Sequence, residues 1–160
     1  KAVEFSKREF SKTHLVFWET EDKKEKEFVG YYTITYKHIT IERSAINAKE
    51  ARKLREHGIY SEKSKAYTIA APLIAQLGKN FNNGNNMLIS GDDLLHLAME
   101  KILKIRNEVG GRFAYLECED KPKLIEFYER NHFKKFGKRS LDSDETDLKG
   151  EYLLQYFIMI

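Results

Sequence analysis

Cysteine and proline are both scarce in this sequence of 160 residues, which contains one cysteine and two prolines. The lone thiol of Cys118 has no partner for an internal disulfide, so the sequence favours a reducing compartment and we expect a cytoplasmic protein. Its position in an apolar run favours a packing role over a nucleophilic one. With 41% hydrophobic residues and so few prolines, the composition is neither that of a disordered chain nor that of a fibrous one.

Long apolar runs, a strong charge excess and metal-ligand spacing are also missing. No stretch approaches the roughly 18 apolar residues of a helical membrane span, so we expect no membrane partner. The net charge of +3 is small, and charge alone neither proposes nor excludes RNA as a partner. The five histidines lie at least 19 positions apart, which predicts no metal site.

The residues that are present predict one mixed α/β domain over residues 1–160. Runs rich in β-branched and aromatic residues alternate with segments of helical periodicity. Residues 1–12 have the pattern of the end of an amphipathic helix, so we expect the start of the domain to lie upstream. The predicted strands cover residues 13–19, 28–41, 67–77, 113–119, 133–136 and 152–160, and the predicted helices cover 47–57, 91–109 and 121–131.

Polar and glycine residues mark the ends of the predicted helices. Asn47 and Asp120 are the predicted N-caps of the first and third helices. Gly58 is predicted to lie just past the end of the first helix, at the position where a left-handed backbone is favoured. Pro72 predicts an irregular point in the long strand 67–77.

The most informative segment is the strand 67–77, the asparagine-rich loop 78–86 and the helix that begins at Gly91. The positive end of a helix dipole and its free N–H groups favour an anion there, so a phosphorylated ligand is the natural candidate. Ser90 and Asp93 also have the spacing of a capping box. In that alternative the two side chains simply close the helix terminus.

The third predicted helix ends in the segment Phe127-Tyr128-Glu129-Arg130-Asn131-His132-Phe133. This segment resembles the F-Y-E-x-x-G-F signature of the GNAT (general N-acetyltransferase) superfamily, and the chain resembles a single-domain bacterial-type member over residues 13–160. The resemblance implies the acyl-CoA acyltransferase fold of that family. This fold has a mixed, mostly antiparallel central sheet with helices on both faces.

The resemblance also implies a function and a set of site residues. It implies transfer of an acetyl group from the cosubstrate acetyl-CoA to an amine by direct attack, with no metal. Tyr128 matches the general acid, and an unperturbed phenol stays protonated at neutral pH. Two further groups match the cofactor-binding positions: Leu77, Gly78 and Lys79 match the strand end that pairs with pantetheine, and Asn86, Leu88, Ile89, Ser90 and Gly91 match the pyrophosphate loop.

The chain departs from the family pattern at two glycines. Ile89 stands where the pyrophosphate loop has its first glycine, and a side chain there weakens close approach to a phosphate. His132 stands where glycine usually ends the helix, and its neighbour Asn131 is among the residues that tolerate the left-handed conformation.

The acceptor amine and the general base remain open in the sequence. Glu117 and Glu119 alternate onto one strand face and are candidates for a base that acts through water. One alternative function is that of an acetyltransferase toxin acting on aminoacyl-tRNA, motivated by the basic cluster Lys134, Lys135, Lys138 and Arg139. Another is a non-catalytic module that binds CoA or a protein partner, motivated by Ile89. A homodimer is compatible with all three.

Overall fold

The protein is described by a computed structural model that covers residues 11–22, 24–143, 145 and 150–160. Most of the predicted N-terminal helix therefore lies outside the described residues. The strands are β1 Lys12–Glu19, β2 Lys26–Glu42, β3 Ile59–Ser61, β4 Ala66–Lys79, β5 Phe113–Cys118, β6 Lys134–Ser140 and β7 Tyr152–Met159. The α-helices are α1 Ala48–His57, α2 Gly91–Val109 and α3 Pro122–Arg130.

The seven strands form one sheet in the order β1-β2-β4-β5-β7-β6, with β3 paired to β4. Antiparallel pairing joins β1 to β2, β3 to β4, β5 to β7 and β6 to β7. The architecture is thus the predicted mixed α/β fold with a mostly antiparallel sheet.

The described chain divides into two compact units. The first comprises residues 1–35 and 74–109, and so contains β1, the ends of β2 and β4 that carry Gly30 and Gly78, and helix α2. Strands β2 and β4 and helix α2 pack closely at Gly30 of this unit. A Cβ atom built on Gly30 would lie 2.8 Å from the carbonyl oxygen of Gly78 and 3.3 Å from a methyl group of Leu94. Only glycine permits this approach of two strands and a helix.

The second unit comprises residues 36–73 and 110–160 and has a large apolar core. Side chains of α1, such as Leu54, pack there with Tyr115 of β5 and Phe157 of β7. Tyr128 of α3 instead contacts Tyr156, with the two ring centroids 6.3 Å apart. Adjacent strand residues point to opposite faces, so α1 and α3 cover opposite faces of this part of the sheet.

Helix α1 begins as the sequence predicts but ends differently. The Asn47 side chain accepts from the N–H of Glu50 at 2.9 Å and the Glu50 carboxylate accepts from the N–H of Asn47 at 2.8 Å, which is a complete capping box. The left-handed conformation predicted for Gly58 is wrong, because its φ is −138°. Position 58 requires glycine for lack of space instead, because a Cβ atom there would lie 2.3 Å from Ile69 Cγ2.

Two strand predictions needed correction. Strand β3 was not predicted, because three residues carry too little pattern and Ile59 is 78% exposed. Strand β6 runs from Lys134 to Ser140 rather than over residues 133–136. Its sequence is polar, and lysines are typical of a strand at the edge of a sheet, where they oppose pairing with another chain.

The start of α3 also differs from the prediction. Lys121 is the N-cap, and its side chain makes no capping hydrogen bond. The carboxylate of Asp120, the predicted cap, accepts a hydrogen bond from the Tyr152 hydroxyl at 2.5 Å. Pro122 still occupies the first turn, where its missing N–H costs nothing.

The left-handed residue after α3 is His132, with a φ of 67°, and not Asn131, with a φ of −88°. The Asn131 amide instead donates to the carbonyl oxygen of Phe127 at 2.8 Å. The N–H groups of His132 and Phe133 donate to carbonyls in the last turn of the helix. The backbone therefore needs the left-handed conformation at the position where the family has glycine.

We predict that His132→Gly raises the free energy of unfolding. A non-glycine residue in this conformation costs about 1 kcal/mol, and the exposed imidazole loses few contacts when it is removed. His132→Ala is the matched control, since it removes the same ring but keeps the strained conformation. Urea denaturation of the three proteins tests this. Equal stability of the glycine and alanine variants would contradict it.

Candidate active site

The loop between β4 and α2 is anchored to β2 by two asparagines. The backbone N–H of Asn80 donates to the carbonyl oxygen of Val29 at 2.9 Å, and its side chain donates to that of Phe28 at 2.8 Å. The Asn85 amide donates to the same Phe28 oxygen at 3.1 Å and to the Glu27 carboxylate at 3.0 Å. The loop predicted to be simply exposed therefore has a buried anchor.

These anchors were missed because a tract of asparagines is typical of exposed loops. The available signal was the chemistry of the primary amide, whose two donors suit the free carbonyls beside a strand end. A positive φ at Asn83 (54°) and Gly84 (75°) then turns the chain towards the helix. Both residue types tolerate that conformation.

The strand end predicted to bind pantetheine lies at the carboxyl end of β4. Leu77, Gly78 and Lys79 are all partly exposed. A Cβ on Gly78 would lie 2.8 Å from the ring of Tyr31, so this glycine lets the tyrosine pack flat against the strand. The structure thus places the three residues together at a partly exposed strand end that Tyr31 contacts at Gly78.

The five predicted pyrophosphate-loop residues lie next to one another at the start of α2. Asn86, Ile89 and Gly91 are partly buried, and Leu88 and Ser90 are exposed. The N–H of Leu88 donates to the carbonyl oxygen of Asn85 at 3.1 Å. The structure thus places all eight predicted cofactor-binding residues in one unit of the chain and Tyr128 in the other.

The capping-box alternative is correct for the side chains of Ser90 and Asp93. The Ser90 hydroxyl accepts from the N–H of Asp93 at 3.0 Å, and the Asp93 carboxylate accepts from the N–H of Ser90 at 3.2 Å. The hydroxyl also donates to that carboxylate at 2.5 Å, which lowers the pKa of Asp93. An anion at this terminus must therefore use backbone N–H groups, such as that of Gly91, which has no carbonyl four residues before it in the helix.

Tyr128 has a buried ring and a hydroxyl that has no hydrogen-bond partner among the described residues. The ring contacts Phe127, Phe133 and Tyr156, with centroids 5.0 to 6.3 Å apart. Within the described part of the chain its hydroxyl makes no hydrogen bond, and no fully buried polar side-chain atom there lacks a partner. The hydroxyl therefore reaches the surface. Burial raises the pKa of Tyr128 to about 12, so the phenol stays protonated at neutral pH.

The side chains of Cys118 and Glu117 are poor candidates for nucleophile and base. Burial raises the pKa of the Cys118 thiol to about 11, which leaves it protonated and unreactive. The Glu117 carboxylate accepts from two Arg139 nitrogens at 2.8 and 3.0 Å and from Gln155 at 2.8 Å. Glu119 follows the end of β5 and forms an ion pair with Lys121 at 2.7 Å.

Comparisons with known proteins supply the fold family. No protein-family model and no curated protein matches the chain, whereas solved structures do. AtaT complexed with acetyl-methionyl-tRNAfMet is 17% identical with a TM-score of 0.59, and the match covers 96% of this chain and 75% of that one. A mutant of KacT is 15% identical with a TM-score of 0.60, and the match covers 99% and 76%.

A third structure, of AtaTR bound with AcCoA, is 18% identical with a TM-score of 0.56 and covers 98% of this chain and 74% of that one. AtaT and KacT are acetyltransferase toxins of the GNAT superfamily. This chain has the GNAT fold. The fold expected from the segment around Tyr128 is thereby confirmed over almost the whole length of the chain.

Two of the four cations in the basic cluster predicted on the last strands of this GNAT fold are ion-paired. Lys134 forms an ion pair with Glu50 at 2.7 Å, and Arg139 binds both Glu117 and Glu145. The ammonium of Lys138 lies 4.0 Å from the centre of the Tyr152 ring. Of the four cations, only Lys135 has no such partner among the described residues.

The described residues contain no group of three or more His, Cys, Asp or Glu side chains that could hold a metal ion. Nor is any helix in the described part of the chain both long and apolar enough to cross a bilayer.

Proposed function

We propose that this protein is an acetyl-CoA-dependent N-acetyltransferase that transfers the acetyl group to a primary amine by direct attack. The observation that carries the proposal is the GNAT fold, shared with AtaTR bound with AcCoA over 98% of this chain. The helix terminus at Gly91 supports it, because a pyrophosphate needs free backbone donors.

In this mechanism the neutral amine attacks the thioester carbonyl, and the carbon–sulfur bond of the tetrahedral intermediate then breaks. Negative charge develops on sulfur, and the Tyr128 hydroxyl donates a hydrogen bond to it. The pKa of Tyr128, about 12, is well above the value near 8.5 of an ordinary thiol. Tyr128 thus stabilises the departing thiolate mainly by this hydrogen bond. The proton that finally neutralises the thiolate is the one that the amine releases through water.

Two of the similar solved structures draw attention to a tyrosine. The AtaT protein in one and the KacT protein in the other each carry a single replacement of tyrosine by phenylalanine. In this chain Tyr128 has the free hydroxyl that the reaction needs. Tyr156 does not, because its hydroxyl donates to Glu129 at 3.4 Å.

We predict that Tyr128→Phe lowers kcat about 100-fold and leaves the KM for acetyl-CoA nearly unchanged, because the hydrogen bond acts on the departing sulfur. Thiol release measured with a panel of primary amines tests this. Tyr156→Phe is the matched control and should retain activity. Because burial raises the pKa of Tyr128, the wild type should lose no activity through tyrosine ionisation below about pH 11. An active Tyr128→Phe variant would remove Tyr128 from this role.

A second prediction concerns the isoleucine in the pyrophosphate loop. We expect Ile89→Gly to tighten acetyl-CoA binding about three- to tenfold in calorimetry, because the phosphates then approach the backbone more closely. Ile59→Gly, at an exposed isoleucine of β3, is the matched control and should leave the affinity unchanged.

Calorimetry also separates the open alternatives. If neither the wild type nor Ile89→Gly binds acetyl-CoA below millimolar concentration, the transferase proposal fails. If acetyl-CoA binds and no amine in the panel yields free thiol, the non-catalytic alternative replaces it.

A more specific acceptor is the amino group of an aminoacyl-tRNA. The observation that favours it is the similarity to AtaT, whose solved complex contains acetyl-methionyl-tRNAfMet. The net charge of +3 does not favour it independently.

We therefore expect label from radioactive acetyl-CoA to enter aminoacylated tRNA and not the same tRNA after deacylation. A single-tRNA preparation charged with one amino acid makes the comparison clean. Labelling of small amines with no labelling of charged tRNA would rule out this acceptor and leave the broader proposal in place.

A further inference from the structure

Helix α1 carries an unusual concentration of positive charge. Its inner side consists of Glu50, Ala51 and Leu54, which are all buried. The remaining positions of this ten-residue helix carry four cations. Its acidic side chains are Glu50 and Glu56. The cations are Lys49, Arg52, Lys53 and Arg55, which we call the α1 cations; Lys53 is partly exposed and the other three are exposed.

The α1 cations are not paired with any other part of the described chain. Among the described residues none of them has an ion-pair or hydrogen-bonding partner. The other two helices differ. Helix α2 has three cations and four acidic residues, and α3 has two of each. An excess of free positive charge is therefore a property of α1 and not of the helices in general.

Glu50 would cancel part of this charge if its carboxylate were free. It is instead committed twice, because it accepts from the N–H of Asn47 at 2.8 Å and from the Lys134 ammonium at 2.7 Å. The cation that neutralises Glu50 thus comes from β6. This arrangement removes positive charge from the predicted basic cluster and leaves Glu56 as the other acidic side chain of α1.

The backbone that carries the α1 cations is held firmly. The capping box fixes the start of the helix, and the Leu54 side chain is completely buried in the core of its unit. Lys49 and Arg55 are six residues apart, which is about 9 Å along a helix axis. The four charges therefore form a compact, pre-positioned surface.

A nucleic-acid duplex is the polyanion that fits such a surface best. It carries about one negative charge per 1.7 Å of axis, so about five phosphates fall within the length that the α1 cations span. An acidic polypeptide carries at most one charge per residue, or about one per 3.4 Å when extended. Higher charge density releases more counterions on binding, which favours the duplex.

We propose that the α1 cations form a docking surface for the phosphate backbone of RNA. The role of this surface in delivering an acceptor rests on the proposed acetyltransferase function, whereas RNA binding itself does not. Arginine and lysine on one rigid helix neutralise phosphates irrespective of sequence, so the contact positions the RNA and reads no bases.

The test uses the full chain and deacylated tRNA as the probe, with binding followed by fluorescence anisotropy at several salt concentrations. The triple variant Lys49→Gln, Arg52→Gln and Arg55→Gln should bind about tenfold more weakly at low salt. Its slope of log affinity against log salt should be shallower by about two to three, since each lost phosphate contact contributes about 0.7 to 0.9.

The matched control removes three exposed cations from other parts of the chain, in the triple variant Lys104→Gln, Arg112→Gln and Lys123→Gln. It changes the net charge by the same amount and should keep most of the affinity. Thermal unfolding of all proteins confirms that the variants are folded. Equal losses in the two triple variants would overturn the proposal, as would an α1 variant within twofold of the wild type. Polyglutamate that binds as tightly as tRNA would overturn the assignment to nucleic acid.

Transfer to a small amine separates this proposal from the proposed function. The α1 variant should release thiol at the wild-type rate with a small amine, because none of the substituted residues belongs to the proposed catalytic or cofactor-binding set. If the wild type binds tRNA through α1 but releases no thiol with any amine, the transferase proposal fails and the docking surface stands.

Discussion

The constraint on which much of the second unit depends is the need to neutralise carboxylates that are largely removed from water. Glu50 and Glu117 each retain only about a tenth of their side-chain exposure. A largely buried carboxylate without a partner costs several kcal/mol, so each must have a cation. Both cations come from strand β6. The edge strand is thereby tied to α1 through Lys134 and to β5 through Arg139, and these two cations are no longer available to a ligand.

The parts of the fold that could be predicted from the sequence are those whose cause lies within a few neighbouring residues. Helix α2 was predicted correctly because its apolar positions repeat at steps of three and four and two glycines with positive φ follow it. Strand β6 was predicted too short because its cations look like those of a solvated turn, and no local pattern reveals that they pair with residues far away in sequence. The role of Gly58 was missed for a similar reason. The absence of a side chain there is required by contact with Ile69 on strand β4 and not by the helix itself.

At the candidate site, the side chains of Ser90 and Asp93 and the backbone N–H groups at the start of α2 have different roles. Local spacing was enough to identify the pairing of Ser90 with Asp93, because a capping box involves only four consecutive residues. That pairing uses side chains and the N–H groups of the cap, and the backbone of the first helical residues is what remains for an anion. The carboxylate of Asp93 adds a negative charge beside that position. A pyrophosphate bound as we propose would have to gain enough from backbone donors to offset this repulsion.

Tyr128 shows what the structure adds to a motif. A tyrosine on an amphipathic helix face is ordinarily a core residue whose hydroxyl finds a partner. Here the ring is in the core but the hydroxyl has no partner among the described residues, although Tyr156 beside it is paired with Glu129. Burial stabilises the neutral phenol, so the group holds its proton while its free oxygen remains accessible. A packed ring fixes the direction of the donor, and an unpaired hydroxyl gives up no internal hydrogen bond when it turns to a developing charge. The position of Tyr128 thus combines the rigidity of a core residue with the availability of a surface group.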